Sequence, residues 1–246
     1  MFSRILLSAC IAGLAAALAL TAAQAVWITP LIAQAETYEE AAQVNTSAHE
    51  HHAASSQEND KSHHHEDAWQ PEDSWQRTLA TGISNTVMGV GFALMLCGMY
   101  VLRPPSGATQ GLGWGLAGYV IFFAAPALGL PPDLPGTAAA ELSARQYWWL
   151  GTAITTAAGL GLIFLQARKP YKLFGIVMLA VPHVIGAPHP AVPQSLSPES
   201  LQTQFRLLTI FTNALFWLLL GVLSAAAFKR LGRPSGDHKN NGTAHG

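Results

Sequence analysis

Leu207-Leu208-Thr209-Ile210-Phe211-Thr212-Asn213-Ala214-Leu215-Phe216-Trp217-Leu218-Leu219-Leu220-Gly221-Val222-Leu223-Ser224-Ala225-Ala226-Ala227-Phe228 runs without a charged side chain between Arg206 and Lys229. As a helix rising ~1.5 Å per residue it is long enough to cross a hydrocarbon core of ~30 Å. Five more stretches lack charge in the same way: 5–35, 78–102, 104–132, 146–167 and 173–198. Together the six hold 155 of the 246 residues and none of the 13 Lys+Arg or 14 Asp+Glu. Charged residues make up 11% of the chain, against roughly 25% in a soluble domain. The pattern predicts an all-α integral membrane protein. It excludes a soluble enzyme and a nucleic-acid-binding domain, and the net charge of −1 says nothing about partners.

Spans are expected at about 5–27, 80–102, 111–130, 147–167, 172–188 and 207–228, a bundle of about six transmembrane helices. Residues 1–33 hold the first segment, and a cleaved signal peptide is its competing reading, which would leave five spans. Arg4 supplies a positive start, and both Ala23-Gln24-Ala25 and Ala33-Gln34-Ala35 fit small-x-small cleavage. Against cleavage, the apolar run continues through Val26-Trp27-Ile28, where Trp27 suits an interfacial anchor. Residues 34–79 read as an external, flexible, His-rich loop, 80–228 as a five-helix core, and 229–246 as a disordered cytoplasmic tail. Lys and Arg counted on alternate sides give nine against four, which by the positive-inside rule puts both termini in the cytoplasm.

Cys10 and Cys97 lie inside uncharged runs and read as small apolar packing residues, not as a disulfide. Gly111 and Gly115 form a GxxxG with Gly118 behind it, and Gly89/Gly91 and Gly159/Gly161 are further small-residue clusters, all expected at helix contacts. Met88, Met95, Cys97 and Met99 are expected in the core, and Asn213 as a hydrogen-bonding link between helices. Tyr147 with Trp148-Trp149 reads as an interfacial aromatic belt.

Metal chemistry is suggested at two places. Six of the ten histidines fall in the first external loop, at His49, His51, His52, His63, His64 and His65, among Glu, Asp, Ser and Gln. Imidazoles alternating with carboxylates make a flexible chelator for divalent transition ions such as Co, Ni, Cu or Zn. His49-Glu50 does not open a metalloprotease HExxH, because Ala53 stands where the second histidine would be. The other place is Val181-Pro182-His183-Val184-Ile185-Gly186-Ala187-Pro188-His189-Pro190. Ionisable groups inside a membrane are costly and mark function by default. Two prolines and a glycine are expected to break this span near His183, with His189 at the outer mouth. A kinked helix whose histidine bonds a neighbouring backbone is the plainer reading. Asp133 and Glu141 bracket an external loop as entrance ligands or, more simply, as caps and solubilising charges. No phosphate-binding loop and no facing pair of intramembrane histidines occurs, which removes the basis for an ATPase or a haem protein.

Ala124-Ala125-Pro126-Ala127-Leu128-Gly129-Leu130-Pro131-Pro132-Asp133-Leu134-Pro135-Gly136 and Ala144-Arg145-Gln146-Tyr147-Trp148-Trp149-Leu150-Gly151-Thr152, with Pro182–Pro188, resemble the CbtA family of cobalt transporter subunits. The Phe2-Ser3-Arg4 leader and the Pro30–Glu39 segment extend the resemblance over nearly the whole chain. It implies a membrane subunit of a cobalt (or nickel) uptake transporter supporting cobalamin synthesis, in the bacterial inner (cytoplasmic) membrane. It implies a small single-span CbtB-type partner, a transported divalent ion and no permanently bound cofactor. The chain departs from the family in carrying its own histidine-rich segment. A non-transporting metal-binding accessory protein that assembles with a separate permease is the alternative.

Overall fold

The computed structural model describes residues 2–50 and 74–232, and among them every long element is a helix. In chain order these are α1 (Phe2–Ala23), a π-helical turn (Gln24–Ile28), α2 (Thr29–Glu50), α3 (Ser74–Leu102), α4 (Ala108–Tyr119), a second π-helical turn (Val120–Ala124), α5 (Ala125–Gly129), α6 (Leu142–Leu165), α7 (Lys169–Ile185) and α8 (Glu199–Arg230). Five continuous helical segments are long and apolar enough to cross a membrane, at Phe2–Val44, Trp75–Leu102, Ala108–Gly129, Leu142–Leu165 and Glu199–Arg230. Between the last two comes α7, equally apolar in character but only 17 residues long. The expected helical bundle is therefore the observed architecture.

Charge is what sorts the two ends. Arg4, Arg103, Arg168, Lys169, Lys172, Lys229 and Arg230 gather where α1 begins and where α3, α6 and α8 finish. No carboxylate shares that end among the described residues. All the described acidic residues (Glu36, Glu39, Glu40, Glu50, Asp133, Glu141 and Glu199) lie toward the other end, with Arg77, Arg145 and Arg206. These are called the basic end and the loop end below.

The centre of the bundle is α8, which packs on α1, α3 and α4, while α1 and α3 also pack on each other. Ala9, Ala12, Ala16 and Ala17 are fully buried on α1. Such small side chains let backbones approach until dispersion and Cα–H contacts hold them, in a solvent that supplies no hydrophobic drive between helices. The predicted glycine contacts appear on the same principle. A Cβ at Gly111 would stand 2.7 Å from the Gly221 carbonyl oxygen and 2.8 Å from the Ala225 side chain, and one at Gly115 would collide with the Trp217 carbonyl. Gly118 lies under the Trp217 ring, which stacks on Phe122 at 5.6 Å. Gly89 meets Gly13, and Gly159 meets Gly175, whereas Gly91 and Gly161 face open space.

The hairpin of α6 and α7 stands to one side. Its two helices pack mainly on each other, and α6 joins the bundle through the second π-helical turn and α5. On α7 only Gly175 and Pro182 are buried.

Several expectations are corrected by these contacts. Residues 34–50 continue the first helix without interruption, because Leu31 and Ala35 pack against Leu134, Leu201 and Phe205 and because Ala, Glu and Gln favour helix. Residues 74–79 likewise belong to α3. The remainder of the His-rich segment, 51–73, and the tail 233–246 lie outside the described residues. Of the sulfur side chains in α3, Cys97 is buried but Met88, Met95 and Met99 are exposed along the outer face. Asn213 donates to the Thr209 carbonyl of its own helix at 3.0 Å, so it is not a link between helices.

Candidate metal-entry site

At the loop end the two connections 130–141 and 186–198 are tied together by one side chain. Gln202, on the first turns of α8, is 5% exposed. Its Oε1 accepts from the Leu134 amide at 3.2 Å, and its Nε2 donates to Thr137 Oγ1 at 2.6 Å and to Ser195 Oγ at 3.1 Å. Backbone bonds from Ala138 to the Gln194 carbonyl and from Leu196 to the Gly136 carbonyl complete a short antiparallel bridge. Gly136 stands at φ 74°, a left-handed conformation that a side chain would strain. Buried amide groups are satisfied here by tertiary partners, not by a helix.

The carboxylates expected at the entrance both have partners. Arg206 Nη2 donates to Asp133 Oδ1, and its Nε reaches the Pro132 carbonyl at 3.4 Å. Glu141 is the N-cap of α6 and accepts from the amides of Ser143 and Ala144 at 3.0 Å each, and from the Ser143 hydroxyl. The Ser143 hydroxyl and the two amides hold the Glu141 carboxyl below its ordinary range. Its role in the structure is that of a helix cap.

His183 sits in the last turn of α7 and is exposed. Pro182 does not break the span as expected. The helix continues through it to Ile185 and stops at Gly186, whose φ of 85° turns the chain away. The carbonyl of Pro182 accepts from the Gly186 amide and from Trp148 Nε1 at 3.3 Å, and the Trp148 ring meets His183 edge-on with centroids 6.1 Å apart. Trp148 is thus packed between α6 and α7, while Tyr147 remains exposed beside it. His189 is exposed in the loop after Gly186.

The structure therefore places His183, His189, Asp133 and Glu141 all toward the loop end, but does not join them. Among the described residues no three His, Cys, Asp or Glu side chains come close enough to hold one ion. His49 lies near the end of α2, and His51, His52, His63, His64 and His65 lie outside the described residues.

A second polar centre, absent from the sequence expectations, lies between α1 and α3. Asn85, 7% exposed, donates through Nδ2 to Thr21 Oγ1 at 3.0 Å and to Gln24 Oε1 at 2.7 Å. Gln24 begins the first π-helical turn, a local widening of the helix often found where a helix does more than span. An Asn within one apolar run and a Gln within another were the available signal, but only the antiparallel α1–α3 contact brings them together.

Several spans, charge confined to the ends and polar side chains gathered at the loop end define a multi-pass helical membrane protein. The family described as "Probable cobalt transporter subunit (CbtA)" matches residues 2–229. The chain belongs to that family. Neither a curated protein nor a solved structure matches it.

Proposed function

We propose that the chain is the membrane subunit of a cobalt uptake transporter, with nickel as the alternative cargo, supplying metal for cobalamin synthesis across a bacterial inner membrane. Family membership supports cobalt transport, and the crowding of Lys and Arg at one end supports cytoplasmic placement of both termini. His183 and His189 take the ion at the loop end, where neutral imidazole suits Co²⁺ and Ni²⁺. Asp133 and Glu141 serve this entrance by fixing its loops, since Arg206 and the first turn of α6 already hold their oxygens. The histidines at 49, 51, 52, 63, 64 and 65 raise the local ion concentration before entry.

The observation that carries this reading furthest is the exposure of His183 on a helix covered chiefly by α6. One imidazole is an incomplete shell for a divalent ion. A small single-span CbtB-type subunit lying along α7 supplies the missing ligands and closes the path. Uptake of labelled Co²⁺ by vesicles, with and without that partner, tests the reading. Uptake should need both chains, should vanish in His183→Ala with insertion unchanged, and should fall much less in His189→Ala. Replacing the six loop histidines by Ala should weaken uptake only when metal is scarce.

The chain's own six histidines at 49–65 favour one other reading, a metal-binding accessory protein that delivers ions to a separate permease. Metal binding without uptake in the reconstituted pair would establish it.

A further inference from the structure

At the basic end α1, α3 and α8 leave a cavity of about 140 Å³ lined by Arg4, Ile5, Tyr100, Val101, Pro104 and Phe228. Arg4 is held there as a fixed fork. Its guanidinium carbon stacks 3.8 Å from the centre of the Phe228 ring, and its Nε donates to the Phe228 carbonyl at 2.8 Å. Gly232 lies against the same guanidinium so closely that any Cβ there would collide with it. Stacking and the Nε bond use the ring face and one N–H, and Gly232 lies beside the two terminal nitrogens. Among the described residues Arg4 has no salt bridge, and none of their carboxylates lies at this end.

A cation placed at a membrane boundary keeps its charge, and no carboxylate among the described residues at this end lies there to balance it. A planar guanidinium already immobilised by stacking loses little entropy on gripping a tetrahedral oxyanion. The remaining walls (Ile5, Val101, Pro104, and the Tyr100 and Phe228 rings) are apolar, which suits a ligand with a hydrocarbon part next to its charge. Water-soluble phosphate would leave those walls bare. Basic clefts between helices on the cytoplasmic side are a known setting for anionic headgroups.

We propose that this cavity binds the phosphate of an anionic phospholipid, with Arg4 as its anchor and the acyl chains running down the outer face of α1 and α3. The site is separate from the loop end and does not depend on which ion the protein carries.

Full-length protein in mixed phosphatidylglycerol and phosphatidylcholine nanodiscs, released for native mass spectrometry, provides the test. Wild type should keep one phosphatidylglycerol in preference to phosphatidylcholine, and excess inorganic phosphate should not displace it. Arg4→Gln should lower that preference about fivefold, the factor expected for one basic group at a membrane surface. Val101→Phe, which puts a bulkier side chain on a wall of the cavity and leaves Arg4 and Phe228 themselves unaltered, should lower it as much, and it decides the matter if Arg4→Gln does not fold. Arg103→Gln, at the same end but outside the cavity, should leave it unchanged. Equal retention in wild type and Val101→Phe overturns the proposal. Displacement by inorganic phosphate overturns the lipid source and identifies a phosphate site.

Discussion

Arg206 Nη2 lies 2.5 Å from Asp133 Oδ1, and this pair joins α8 to the loop that follows α5. Both side chains are more than a third exposed, so solvent screens most of their attraction. A double-mutant cycle with Asp133→Asn and Arg206→Gln should give a coupling of about 0.2–1 kcal/mol in detergent unfolding. Cobalt uptake should survive both single changes. Loss of uptake in Asp133→Asn alone would make Asp133 a ligand rather than a loop anchor.

Glu141 gives a pH dependence of known sign. The Ser143 hydroxyl and the amides of Ser143 and Ala144 depress its folded-state pKa below the ordinary 4.5. The unfolded chain therefore binds the proton more readily than the folded one. The contribution of Glu141 to stability is full above pH 4.5 and is lost as pH falls below it, through the depressed value. Thermal unfolding from pH 6 downward should show this loss in wild type, and Glu141→Gln should flatten its share of the slope. An unchanged slope in that variant would remove the cap from this account.

The contact of α4 with α8 should tolerate no side chain at Gly115. Gly115→Leu would drive α4 off the Trp217 carbonyl and Gly221, and overpacking of a dense core costs about 1–3 kcal/mol or more. Leucine at Gly113, which faces open space, should be accepted. The comparison is made by yield and melting temperature of the two purified variants. Equal behaviour would mean that α4 and α8 do not pack as described.

Orientation is testable by thiol labelling. Cys10 is exposed and Cys97 is buried, so the background is Cys10→Ala. Cysteines placed at Ser56 and Ser195 should react with an impermeant reagent from outside, and one at Ser235 should not. Labelling at Ser235 alone would invert the topology.

The spans were legible because a charge in hydrocarbon is expensive at every position, so its absence over twenty or more residues is a local record of environment. Gly111 and Gly115 were legible for a related reason: spacing alone puts them on one face. Gln202 was not. Its partners lie 65 and 68 positions away at Thr137 and Leu134, and nothing near it in sequence announces that two loops meet there. The methionines of α3 failed similarly. Met88, Met95 and Met99 do share a face, but which faces of a span meet another helix is decided by the neighbouring helices, and these look outward. His183 was found by its cost inside an apolar run, and its position in the last turn of α7 follows from where Gly186 ends the helix.

The brevity of α7 has a mechanical consequence. Seventeen residues rise about 26 Å, a few ångströms less than an average hydrocarbon core. A bilayer meets such mismatch by thinning beside the short helix, at a fraction of a kcal/mol per ångström. Headgroups and water are then drawn down toward the end of α7 that carries His183. On that flank of the protein the hydrocarbon that any charged group would have to cross is thinner than beside the longer helices.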